Sequence, residues 1–249
     1  MTEPKVFLIG EQKLLNDVYV NNENIGLNEY LKHINAEDYK SKNYNNESEL
    51  LVEIYGRLCY RSFKPGLNKN VTKVREGNDK YISNIKKSGH GSVLEHSTVN
   101  FIFSDVSRVF THELVRHRVG GAVSQESLRY VRLDEMDPYI PLCIKENKEG
   151  LELFTKTVEY LNEIQQKLHE VYDIDNKDNF SDKKELTSAF RRIAPIGLPT
   201  TIGWSANFRT LRNVIELRTS NAAEEEIQLV FNKVKDIVKQ RYPNIFGDM

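Results

Sequence analysis

The segment ELVRHRVGGAVSQESLRY, residues 113–130, places Arg116, His117 and Arg118 just before the pair Gly120 and Gly121. Beyond the glycines come Ser124, Gln125, Ser127 and Arg129, whose side chains alternate in direction if the stretch is extended. Guanidinium, hydroxyl and amide groups, together with open backbone N–H, are what a phosphate or the polar edge of a heterocycle requires. The glycines let backbone approach a ligand closely. Cations in the last turn of a helix also complement its dipole. That accounts for one or two basic residues, but not for the polar run that follows them. An anion is the expected partner.

Four of the six histidines, His90, His96, His112 and His117, fall within 28 residues. Imidazole is the commonest metal ligand, but the spacing is wrong for a metal. His112 and His117 are five apart and face different ways on a helix, no HExxH occurs, and the flanking arginines repel a divalent cation. No metal is expected. A further cluster comprises Arg191, Asn207, Arg209, Asn213 and Arg218. Most of these could be solvated surface groups. Arg218 differs, because it lies four residues after Val214 and three after Ile215, leans toward the apolar face, and calls for a buried anion or carbonyl partner.

These residues need elements to hold them. KVFLIG (5–10) reads as a strand, 41–48 as a surface loop, and 47–63 as a helix with Leu50, Leu51, Ile54, Tyr55 and Leu58 at helical spacing. Val99, Phe101 and Phe103 alternate with Thr98, Asn100 and Ile102, which predicts a strand over 97–104. A helix over 107–119 should follow and stop at the glycines, with His112 and Arg116 on one face and Glu113 and His117 on another. Residues 151–173 form an amphipathic helix marked by Phe154, Val158, Leu161, Leu168 and Val171. Asp182 with Glu185 resembles a capping box for a helix that ends before Pro195. A strand over 200–206 leads to a helix over 208–219 capped by Asn207. The last helix, 222–241, buries Ile227, Val230, Phe231, Val234 and Val238, with Glu224 to Glu226 at its positive end.

Strands and helices mix without a βαβ rhythm, which argues for an α+β fold. There is no GxGxxG after a strand and no P-loop. The chain has 249 residues, enough for one large domain, and a formal net charge of −1, which disfavours nucleic acid as the main partner. No apolar run approaches the ~20 residues of a membrane span. MTEPKVFLIGEQKLL does not read as a secretory signal, and two isolated cysteines, Cys59 and Cys143, suggest a reducing, cytoplasmic setting.

In their order the blocks GHGSVLEHSTVNF, LVRHR with Ser127 and the following RY, RRIAP, and SANFRTLRNVIELRTSNAAEEEI resemble those of the flavin-dependent thymidylate synthases, over roughly 88–232. The resemblance implies a single domain over 1–249 with a central, mostly antiparallel sheet flanked by helices. It implies FAD contacts at Thr98, Arg116, His117, Arg118, Val119, Asn207, Arg209 and Asn213. It implies a dUMP pocket of Glu113, Gln125, Glu126, Ser127, Leu128, Arg129, Arg191 and Arg218. Catalytic roles fall to Arg218, Ser127 and His96, with His96 near the flavin and the folate path. It further implies a homotetramer with sites between subunits. The sequence departs from the family pattern in three places: eight residues rather than seven separate Arg118 from Ser127, Glu113 replaces a usual glutamine, and EEEI replaces Gln-Trp-Glu-Ile.

The implied reaction is reductive methylation of dUMP at C5 to dTMP, with methylenetetrahydrofolate as carbon donor and NADPH as reductant of the flavin. The flavin carries the hard chemistry, and neither cysteine lies in a polar block. Arg116, His117, Arg118 and Arg218 would stabilise negative charge on reduced flavin and on the activated pyrimidine. Ser127 would orient the nucleotide, since no base is paired with it. Two other readings stay open: the same chemistry on another pyrimidine nucleotide such as UMP, and a non-enzymatic nucleotide- or RNA-binding module.

Overall fold

The structure, a computed structural model, describes residues 2–133 and 136–249. Its strands are β1 (Lys5–Glu11), β2 (Tyr19–Val20), β3 (Glu23–Asn24), β4 (Thr98–Ser107), β5 (Gly121–Gln125) and β6 (Pro199–Asn207). β2 and β3 form a small hairpin. The other four make one antiparallel sheet in the order β1-β4-β6-β5. The fold is α+β, as the irregular order of elements predicts.

The expected period-2 pattern is present in the two central strands. Val99, Phe101 and Phe103 of β4 are buried, as are Ile202, Trp204 and Ala206 of β6. β4 runs three residues past the predicted end at 104. Its alternation breaks at Asp105, which has φ 59°, and pairing then resumes as Val106 with Thr200 and Ser107 with Pro199. A bulge thus hides the end of the strand from a period count.

The helices are α1 (Leu27–His33), α2 (Glu47–Tyr60), α3 (Asn78–Lys87), α4 (Arg108–Leu114), α5 (Leu142–Lys145), α6 (Lys148–Val171), α7 (Phe180–Phe190), α8 (Phe208–Arg218), α9 (Glu225–Arg241) and α10 (Pro243–Phe246). The main core lies between the sheet and α8 and α9. Phe208, Leu211, Val214 and Ile215 join Ile227, Val230, Phe231, Val234 and Val238 there. The Phe231 ring packs 5.8 Å from Trp204 and 6.2 Å from Phe103. Each such side chain contributes roughly 1.5–3 kcal/mol relative to exposure, so α8 is held firmly against the sheet. No described helix is long and apolar enough to cross a membrane.

Four local expectations need correction. α4 ends at Leu114, five residues short of the predicted Val119. Arg116 N–H donates to Glu113 O at 3.3 Å and His117 N–H to Leu114 O at 3.0 Å, so the Arg-His-Arg segment is a tightening turn rather than a helix. The cause is tertiary: the chain must reverse to lay β5 against β6. Gly120, at φ 68°, makes that reversal, and its carbonyl accepts from Asn207 N–H at 2.9 Å.

α7 is capped by Asn179, which accepts from Ser181 N–H at 2.8 Å; Asp182 lies inside the first turn instead. In α2 Leu58 is exposed, while Glu49, Glu53 and Arg57 are buried. Arg57 Nε donates to Glu53 Oε1 at 2.7 Å, and Nη1 and Nη2 donate to the carbonyls of Ser62 and Arg75. Local pairing thereby satisfies charges that polarity alone assigns to the surface. On α6 the predicted stripe is only half-buried and Val171 is exposed. Leu161 packs on the small cluster of Leu128, Leu133, Met136 and Leu198. Phe154 and Val158 line an apolar groove with Pro138 and Ile196.

Candidate active site

The ends of two central strands and two helix ends converge at one end of the sheet. Thr98 opens β4 and pairs in register with Asn207, the last residue of β6. Asn207 also caps α8, its Oδ1 accepting from Thr210 N–H at 2.8 Å, as its position before the helix predicts. The Thr210 hydroxyl donates to Val119 O at 2.7 Å. The turn that carries Arg116 to Gly120 is therefore stitched to the start of α8. A Cβ at Gly120 would come within 2.3 Å of the Asn207 amide, so only glycine fits.

This junction opens a cleft of about 500 Å³ lined by Glu95, Arg116, His117, Arg118, Val119, Arg209, Thr210, Asn213 and Val214. Six of the eight residues expected to contact a flavin line it. The other two, Thr98 and Asn207, lie behind it in the sheet and cap. Arg209 Nη1 meets Glu95 Oε1 at 2.5 Å, an ion pair that ties α8 to the 3₁₀ turn Gly91–His96. His96 itself does not line the cleft; its exposed ring stacks on Tyr55 of α2 at 3.8 Å, with 2° between the planes.

Arg218, at the end of α8, finds both kinds of partner that its position calls for. Nη1 donates to Glu113 Oε2 at 2.6 Å, Nη2 to the Glu113 carbonyl at 3.4 Å, and Nε to His117 Nε2 at 2.8 Å. Glu113 and His117 therefore do meet, through Arg218 rather than along a helix face. Burial first, and then Arg218, hold His117 below the ordinary imidazole range.

α4 is the bridge from this point to the rest of the set. The Gln125 amide donates to the Thr111 hydroxyl at 3.1 Å. Glu126 extends the pairing beyond β5: its N–H donates to Thr201 O, and its carboxylate accepts from Thr201 N–H at 3.1 Å. Its carbonyl accepts from Arg108 Nη2 at 3.0 Å. Arg108 is a residue that sequence spacing misses. Its Nε is buried with no partner among the described residues. Burial, followed by the charge of Arg191, depresses its pKa. The Glu126 carboxylate offsets part of that charge, and the unused Nε donor leaves Arg108 able to take an anion.

Ser127 accepts from Arg129 N–H at 3.3 Å, and Leu128 is buried in the cluster under α6. Arg129 points elsewhere, into a separate cleft with Lys184, Ser188 and Arg192. The three acids of EEEI all serve structure. Glu224 caps α9, Glu225 accepts from Tyr139 O–H and Leu142 N–H, and Glu226 accepts from Ser107 N–H at 2.6 Å and from the Ser107 hydroxyl. Ser107 is the cap of α4, so Glu226 braces the helix that carries Glu113. Cys59 and Cys143 are exposed and free, and neither lines the Arg-His-Arg cleft.

The antiparallel sheet, with an arginine-lined cleft where β4, β6 and α8 meet, defines an α+β protein equipped for an anionic ligand. Comparison with known proteins carries this further. Residues 42–244 match the family described as thymidylate synthase complementing protein. A flavin-dependent thymidylate synthase from Corynebacterium diphtheriae is 34% identical over 215 residues, covering 85% of this chain and 82% of that one. One from Corynebacterium efficiens is 32% identical and covers 81% of this chain and 79% of that one. The fold resembles that of thymidylate synthase X from Helicobacter pylori, solved with FAD and dUMP, at a TM-score of 0.55 and 24% identity, covering 80% of this chain and 93% of that one. The chain belongs to the flavin-dependent thymidylate synthase family, and so to enzymes of the methyltransferase type.

Proposed function

We propose that this chain, acting as one domain, converts dUMP to dTMP, with methylenetetrahydrofolate as carbon donor, NADPH as reductant and FAD as cofactor. One nucleotide, one methylene group, one hydride from NADPH and one proton then balance dTMP, tetrahydrofolate and NADP⁺. The observation that carries the reading is the Glu113–Arg218–His117 contact, which joins the arginine-lined cleft to the residues arrayed along α4.

The residues suit a flavin dinucleotide. Arg116, Arg118 and Arg209 give the cleft the cations that a diphosphate needs, and about 500 Å³ is within the usual range of roughly 300–1,000 Å³ for ligand sites. FAD bound there would supply hydride transfer. Arg116, Arg118, Arg209 and Asn213 bind it, His117 and Val119 line its seat, and Thr98 and Asn207 fix the strand ends behind it. On the nucleotide side, Arg108 and Arg191 hold the phosphate. Gln125, Glu126, Ser127 and Leu128 shape the loop, while Arg129, turned into its separate cleft, takes no part in the pocket of this chain. Arg218 stabilises charge on the pyrimidine while Glu113 fixes its guanidinium. His96, stacked on Tyr55, stands at the folate approach.

The cleft is open on one side, with Arg116, Arg118 and Val119 exposed. That supports a second wall from another copy of the chain, in a homotetramer. The test is an anaerobic visible spectrum of FAD-loaded protein with NADPH, followed by turnover with dUMP and UMP side by side. Flavin bleaching and turnover of dUMP alone are expected. Turnover of UMP alone would reassign the nucleotide, and a protein that takes up no FAD would overturn the reading.

A further inference from the structure

We propose that Arg218 is a positioning residue for the flavin cleft: its hydrogen bond fixes the His117 imidazole as the neutral tautomer with the proton on Nδ1. The flavin half of this statement rests on the function proposed above; the tautomer does not. Arg218 Nε lies 2.8 Å from His117 Nε2. A guanidinium only donates, so Nε2 must accept and carries no proton. A neutral ring then holds its proton on Nδ1. An imidazolium would set two N–H groups against each other.

The guanidinium cannot easily turn away. Its Nη1 and Nη2 are committed to the Glu113 carboxylate and carbonyl. The side chains of Arg218 and Glu113 are only 21% and 30% exposed, so water competes weakly for this pairing. Charge around the ring acts in the same sense. Arg116 and Arg118 flank His117, and Arg209 lines the same cleft from α8. The two nearby acids are already engaged, Glu113 with Arg218 and Glu95 with Arg209. Among the described residues no carboxylate is paired with the His117 ring to support an imidazolium, and burial lowers the pKa further.

The Arg-His-Arg segment therefore presents cation, neutral donor, cation. His117 offers the cleft an N–H group whose charge stays constant through neutral pH. No described residue accepts a hydrogen bond from Nδ1, so that donor remains for a ligand acceptor.

The experiment uses the full chain, flavin-free, with ¹⁵N-labelled histidine. Long-range ¹H–¹⁵N correlation identifies the protonated nitrogen of His117 and its titration midpoint, with exposed His112 as internal reference. The expected result is an unprotonated Nε2 through neutral pH and a midpoint at least about one unit below that of His112. A protonated Nε2, or a midpoint equal to that of His112, overturns the proposal. Arg218→Met should release the tautomer and raise the midpoint. Glu113→Gln keeps an acceptor for Nη1, so Nε2 should stay unprotonated while the midpoint falls further; this variant decides the matter if Arg218→Met does not fold. FAD binding followed by fluorescence separates the two ideas. Affinity reduced about tenfold in Arg218→Met supports positioning. Equal affinity in a variant with the tautomer released overturns it, and a wild-type chain that binds no FAD overturns the functional reading alone.

Discussion

Arg108 has a buried Nε with no partner among the described residues, and Arg191 stands near enough to depress its pKa. The Glu126 carboxylate offsets part of that repulsion, and a bound phosphate would offset the rest. Charge-assisted hydrogen bonds contribute about 1.5–3 kcal/mol each, so Arg108→Gln and Arg191→Gln should each weaken dUMP binding about 10- to 100-fold in calorimetry. The flavin spectrum should not change. Affinity untouched by either substitution would move the phosphate elsewhere. Cys59→Ser and Cys143→Ser should keep full turnover, because both thiols are exposed and neither lines the Arg-His-Arg cleft. A folded serine variant without activity would point to a cysteine nucleophile.

At this scale the sequence showed what Arg218 needed, an anion or a carbonyl, because its offset from Val214 and Ile215 fixes its direction. It could not show that Glu113, 105 residues away, supplies both. Arg108 was invisible for a related reason: an unused donor is a property of packing, and one arginine at the start of a helix looks ordinary in a sequence.

At the scale of elements, the site depends on two helix starts. The Asn207 side chain caps α8 by accepting from Thr210 N–H, and the Thr210 hydroxyl holds the Val119 carbonyl. Asn207→Ala should cost about 1 kcal/mol in urea denaturation and lower flavin affinity as the Arg116–Gly120 turn loosens. Loss of stability without loss of flavin affinity would detach the cap from the cleft. Glu226 braces α4 from α9, and burial, its largest influence, raises its pKa despite the Ser107 hydrogen bonds. A carboxyl whose folded pKa is raised stabilises the fold most below its unfolded value, and that contribution is lost as pH rises through the folded pKa. Stability of the wild type should therefore fall relative to Glu226→Gln as pH climbs from about 4.5 toward neutrality. Parallel stability curves would show that Glu226 ionises without penalty.

Element types were legible wherever a period ran for several residues, as in β4, α8 and α9. The end of α4 was not. Gly120 and Gly121 read as a helix stop, but the stop comes earlier, since laying β5 beside β6 needs a turn that local propensity does not announce. The same long-range demand explains why the expected i, i+4 pairing of Glu113 with His117 became a contact through Arg218.

At the scale of the whole molecule, the α+β class followed from the irregular order of strands and helices, while the arrangement of the cleft required the fold. The cleft also bears on assembly. Val119 is 86% exposed, and Arg116 and Arg118 are exposed beside it, so the cleft that would take the proposed flavin is open on that side. Ligand sites usually bury roughly 70–90% of their occupant. In the proposed homotetramer a second copy of the chain supplies the missing wall. Sedimentation should therefore give a particle of four times the 28.9 kDa chain mass. Dilution below the assembly threshold should reduce flavin retention and turnover per chain together, and reconcentration should restore both. A monomer that retains flavin and turns over at the undiluted rate would place the entire site on one chain, and the open side of the cleft would then face only solvent and substrate.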